Sequence, residues 1–138
     1  MNITVEQSLA KWIRSLSIFT GITIQAGQTI DEKPNDAAAV YVICSDTISP
    51  VKTLYLASVT IYITTPSLID DSFKKHESLV SGMRLALYNP DGMSAHFPSG
   101  INCVGANVDR WSDSQEDEKW ISSVSLSVGI ADKLGSVI

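Results

Sequence analysis

Cysteine is scarce in this chain, and the two thiols present, Cys44 and Cys103, stand far apart with no C-x-x-C spacing. That excludes a disulfide-rich scaffold and a cysteine-held metal cluster. Free, largely buried thiols in a reducing compartment are expected over a single disulfide. No run of about twenty apolar residues occurs, so no membrane span is expected. The opening "MNITVEQSLAKWIRSLSIF" lacks a basic region followed by a continuous apolar one, so no secretory signal is expected, and folding in a cytoplasm follows.

The glycines form none of the phosphate or nucleophile motifs. There is no G-x-x-x-x-G-K-[ST], no G-x-G-x-x-G and no G-x-S-x-G. Positive charge is also short, with ten Lys and Arg against fifteen Asp and Glu, a net charge of -5 and a pI near 4.8. A surface built to grip phosphates is therefore disfavoured. An acidic wall instead repels a passing duplex and keeps it from sticking.

What is present suits one globular domain, expected to span residues 1–138, with 44% hydrophobic residues and 18% charged. A chain of this size buries roughly two thirds of its unfolded surface and needs no metal or disulfide to fold. Thr4 and Gln7 have capping-box spacing, and Val5, Leu9, Trp12, Leu16 and Phe19 follow at helical intervals, which predicts a helix from Thr4 to about Ile18. A short strand over Ile22–Gln25 and a polar loop come next. "AVYVICSD", Ala39–Asp46, is apolar on both faces and reads as a central strand.

"TISPVKT" reads as a turn around Pro50. From Leu54 to Thr65 the odd positions Tyr55, Ala57, Val59, Ile61 and Ile63 form one apolar face, in a strand long enough for its end to project beyond the domain. Pro66 stops it. Asp70 or Asp71 then caps a helix whose predicted core face is Phe73, Val80, Met83 and Leu87, flanked by Leu79 and Ala86. Gly82, in mid-helix, predicts a close approach of that helix to the sheet.

"NCVGANVDRW" reads as a further strand and "SDSQEDEKW" as a polar turn. In "WISSVSLSVGI" the even positions are apolar apart from Ser122, and Ser123, Ser125 and Ser127 make a smooth row of hydroxyls. The order of elements predicts an α+β fold: a mostly antiparallel β-sheet with two principal helices packed against it. The last residues, 131–138, are expected to form a flexible C-terminal arm.

No catalytic, cofactor-binding or metal-ligating set emerges. His76 lies among Lys74, Lys75 and Glu77 and reads as a solvent-facing or partly packed helical histidine. His96 has no companion at ligand spacing. An enzyme site assembled from His96, Cys103 and a distant acid has no support in local spacing. A pocket between helix and sheet finds little room, because the apolar faces are needed for the core. Trp111 and Trp120 flank the acidic stretch and can face each other across a hairpin.

The order of these segments, "VEQSLAKWIRSL", "AAAVYVICSD", "LYLASVTIYITTP", "FKKHESLVSGMRLALY" and "KWISSVSLSVGI", resembles the tail terminator proteins of long-tailed bacteriophages, also described as minor tail or tail-to-head joining proteins. The resemblance covers Thr4 to Ile130 and rests on architecture and hydrophobic pattern. It implies a structural virion protein, not an enzyme, without cofactors, that forms a homo-hexameric ring at the tail-neck junction. Such a ring ends polymerisation of the tail tube protein and docks the head-tail connector, while DNA passes through without specific binding.

The neighbouring reading is a head-to-tail neck or tail-completion adaptor. Candidate interface or lumen residues are Asp46 and Lys52 in the stretch Asp46–Thr53, and Glu116, Asp117, Glu118 and Lys119 in the acidic tip.

Overall fold

The computed structural model describes residues 1–27, 37–51, 53–67, 72–88, 92–116 and 118–132. Helix α1 spans Asn2–Ser15 and ends in a short 3-10 turn over Ser17–Phe19; strands β1 (Thr23–Ala26), β2 (Ala39–Val51) and β3 (Leu54–Pro66) follow, then helix α2 (Ser72–Tyr88), strand β4 (Ile101–Glu116) and strand β5 (Lys119–Asp132). The five strands make one sheet in the order β1-β2-β3-β5-β4, antiparallel except for the β1-β2 pair. This is the expected α+β architecture.

One core joins sheet and helices. The odd positions of β3 and the even positions of β5 (Val59, Ile61, Val124, Leu126) meet Val40 and Val42 of β2, Val5, Leu9 and Ile13 of α1, and Leu79 and Met83 of α2. Both helices therefore lie on one face of the sheet. The opposite face carries Ser58 and Thr60 of β3 beside Ser127 and Ser125 of β5, their direct cross-strand partners. Period-two alternation explains how one set of strands makes an apolar layer below the helices and a hydroxyl layer on the reverse.

Several boundaries differ from the sequence reading. Helix α1 begins before Thr4, with Met1 at the cap position and no side-chain cap bond. The N-terminal turn serves the sheet instead: Asn2 Oδ1 accepts a hydrogen bond from the Thr47 hydroxyl, and Glu6 Oε2 accepts one from the Cys44 backbone N–H at 2.8 Å. These bonds fall where the β2-β3 register shifts between Cys44 and Asp46. The carboxylate satisfies a donor beside that break in the ladder.

Pro50 does not make the turn. It lies within β2, in a second register irregularity between Ile48 and Val51, where a missing N–H costs no regular ladder bond. The chain reverses just beyond, and Thr53 takes a left-handed φ of 68°. Strand β3 does not project alone, because β5 matches it from Leu54↔Ala131 to Pro66↔Lys119. Likewise "SDSQE" is no polar loop but the end of β4, paired to β5 as far as Glu116↔Lys119.

Gly82 packs tightly, though not on the sheet. A Cβ at that position would stand 2.8 Å from Ile18 Cγ1, so the close approach is between α2 and the 3-10 turn after α1. Both cysteines are free, and Cys44 is buried. The caps expected at Asp70 and Asp71 lie outside the described residues. Strand β5 takes in Ala131 and Asp132, and residues 133–138 of the expected C-terminal arm lie outside the described residues.

Candidate functional site

The expected interface residues fall at opposite ends of the sheet. Asp46 pairs with Ser58, whereas Glu116 pairs with Lys119, which in turn faces Pro66. Eight residues of β3 separate these points, about 26 Å at 3.3 Å per residue. The two hairpins thus do not form one rim on a single subunit. Asp46, Glu116 and Glu118 are exposed, but Lys119 is buried. Lys52 and Asp117 lie outside the described residues.

Burial singles out a different place. The inward face of α2 is Ser72, His76, Leu79, Met83 and Leu87, rotated from the expected one, and Phe73 is exposed. His76 is only 6% exposed and is held at both ring nitrogens. Nδ1 lies 2.9 Å from the Thr65 hydroxyl and Nε2 lies 2.7 Å from the Ser122 hydroxyl. Ser122 donates to Asp113 Oδ1 at 2.5 Å.

The directions of these bonds follow from the donor count. The single Ser122 proton is committed to the carboxylate, so His76 Nε2–H donates to Ser122 and Nδ1 accepts from Thr65. The imidazole is then neutral with its proton on Nε2. Burial lowers its pKa from the ordinary histidine value, against an upward pull from the charges of Asp113 and Glu77. A serine that receives a hydrogen bond from the imidazole and gives its own proton to a carboxylate is not deprotonated by that imidazole, so this is not the serine–histidine geometry of a nucleophile. The row is a polar strut that ties α2 to β3, β5 and β4.

Beside the strut opens a groove of about 480 Å³ between α2 and the outer strands. The sequence reading expected little room here. It exists because α2 packs on β3 and β5 while edge strand β4 extends past its cover. Phe73 and Trp120 stand edge-to-face with ring centroids 5.3 Å apart, and Trp120 Nε1 donates to Ser72 Oγ at 3.2 Å.

The Arg84 guanidinium lies over the Trp111 ring, 4.6 Å from its centroid. The two tryptophans do not pair with each other, since Trp111 is opposite Val124 and Trp120 opposite Gln115. Glu77, Val80, Arg84 and Asp113 also line the groove. Among the described residues no cluster of three or more His, Cys, Asp or Glu side chains is arranged to hold a metal ion.

The reverse face of the sheet offers a broad surface. Ile48, Leu56 and Gly129 form one cross-strand row, and Val104 of β4 folds over Gly129, its Cγ2 3.2 Å from where a glycine Cβ would stand. Ile48 is 54% exposed, Leu56 42% and Val104 63%. An apolar row crossing four strands thus adjoins the hydroxyl field of Ser58, Thr60, Ser125 and Ser127. Sequence showed the serine row but not the apolar one, because register alone brings residues 48, 56, 104 and 129 together.

Comparison with known proteins places the fold in context. No protein-family model and no curated protein matches the sequence. Among solved structures, a chain in the virion of a native gene transfer agent particle is similar over 94% of this chain and 95% of its own, at 12% identity and a TM-score of 0.64. A second structure is similar over 92% of this chain and 90% of its own, at 16% identity and a TM-score of 0.52. At such identities the likeness is one of fold.

Proposed function

We propose that this chain is a structural component of a phage-like virion, and within that class a tail terminator that closes into a ring on the end of the tail tube. The observation that carries the reading is the end-to-end likeness to a chain of the gene transfer agent virion, which spans nearly all of both molecules. The sequence pattern, read independently, resembles the tail terminator family over the same elements.

The surface supports an assembling role. Exposed apolar residues gathered in a row mark a contact surface more often than scattered ones do. The flat field of small hydroxyls beside Ile48, Leu56 and Val104 lets a neighbouring backbone approach closely. Identical subunits joined head to tail through such a face close into a ring when the rotation per subunit closes. Six copies are what the family resemblance implies. With a net charge of -5, a lumen of this protein would repel the DNA backbone rather than hold it.

The test is to add the purified protein to tail tube protein during polymerisation. Tubes of arrested length carrying added density at one end are the expected result. Undisturbed tubes together with binding to the connector would replace the terminator by a neck adaptor, and binding to neither would end both readings.

A further inference from the structure

We propose that the groove between α2 and β4 receives one basic side chain, a lysine or arginine, presented by an extended segment of a partner chain. The inference stands on the groove itself and does not depend on the assembly reading. Its apolar walls are Val80 and the edge-to-face pair of Phe73 and Trp120, and its charges are the carboxylates of Glu77 and Asp113 and the guanidinium of Arg84, which is already engaged over the Trp111 ring.

The chemistry of the walls selects the occupant. Among the described residues neither carboxylate has a cationic partner, and Asp113 spends only Oδ1, on Ser122. That bond fixes the carboxylate plane and leaves Oδ2 to receive a donor. An apolar occupant would strip water from both acids without compensation, and an anion would meet two carboxylates against the single guanidinium of Arg84, which is spent on Trp111. A long basic side chain matches each element, because its methylenes lie against the aromatic pair while its head reaches the acids.

The groove already shows a cation on an aromatic surface in the stacking of Arg84 on Trp111. That engagement also keeps the internal guanidinium over an indole face.

The occupant comes on a chain rather than as a free amine because of what borders the groove. Strand β4 pairs only with β5 among the described residues, and its distal part, which carries Asp113 and Gln115, is a sheet edge. An extended segment added along that edge gains backbone hydrogen bonds and places alternate side chains on the helix side, where the groove begins.

The indole N–H resonances of the three tryptophans report binding by NMR, with core-buried Trp12 as the internal control. The probes are acetyl-Thr-Val-Arg-Val-Thr-amide, the same peptide with Glu in place of Arg, and N-acetyl-arginine methylamide. Saturable shifts at Trp111 and Trp120 with the Arg peptide, and none with the Glu peptide, are expected. The single amino-acid amide should bind at least tenfold more weakly.

The Glu77→Gln, Asp113→Asn double variant keeps an acceptor for Ser122, so it should retain the fold, and it should weaken the Arg peptide at least tenfold. Equal shifts from the Glu peptide, or undiminished affinity in the double variant, would overturn the proposal. Binding of the methylamide as tight as the peptide would overturn the partner segment.

Discussion

Replacing His76 with leucine preserves an apolar volume on α2 but leaves the Thr65 and Ser122 hydroxyls facing it in a buried site. Ser122 keeps its bond to Asp113, so Thr65 is the group left without its acceptor, and a loss of about 1–3 kcal/mol in urea denaturation is expected. A loss below about 1 kcal/mol would mean that the strut is ornamental. The same ring sets a pH response. Its folded pKa lies below the ordinary 6.5, so on acidification the unfolded chain takes up the proton first.

Stability from this group is complete above pH 6.5 and falls as pH drops toward the folded pKa. His76→Gln should flatten that part of the stability profile, and an unchanged slope would assign it to other groups. At the β2-β3 turn Thr53 holds a left-handed φ of 68° despite a branched Cβ. Thr53→Gly should therefore raise stability by about 0.5–1 kcal/mol in thermal melts, whereas a lower melting point would show that the threonine side chain is needed there.

The strut left a trace in the sequence. Ser122 interrupts an otherwise apolar face of β5, and His76 lies four residues after Ser72 and three before Leu79, on the helical row that continues to Met83 and Leu87. A polar residue on each of two core faces calls for a partner. Asp113 left no such trace, because only the β4-β5 register puts it opposite Ser122.

At the scale of elements, the kind of each element was legible in the sequence and the lengths were not. Hydrophobic alternation marks β3 and β5 plainly, but the polar end of β4 carries no apolar signal, since an edge strand has one side open to water and this one outruns its helix. Pro50 and the polar stretch from Ser112 to Glu116 resemble turns by composition. Pairing with long neighbours keeps both in the sheet, the first by way of an irregular register.

The junction of α2 with the 3-10 turn gives an element-level test. Gly→Ala within a helix normally gains about 1 kcal/mol. Here the new methyl would meet Ile18 Cγ1 at 2.8 Å, so Gly82→Ala should lower the melting temperature instead. Adding Ile18→Ala should restore it, and strictly additive losses would show that the two residues do not touch.

The whole molecule is built on one asymmetry. The helices seal one face of the sheet, and the reverse face presents hydroxyls beside the exposed row of Ile48, Leu56 and Val104. Sequence alternation showed that the two faces differ, but the apolar row required the register of four strands. If that face joins subunits, Ile48→Asp with Leu56→Asp should reduce any assembly to monomers without changing the circular dichroism spectrum. An oligomer that survives both changes would shift the contact elsewhere.

The most direct test is the mass of the wild-type protein by multi-angle light scattering over a wide concentration range, alone and then with tail-tube ends. The account expects a discrete closed assembly near six times the 14.9 kDa subunit, formed either in solution or on the tube end. A monomer at every concentration, indifferent to the tube, would contradict it.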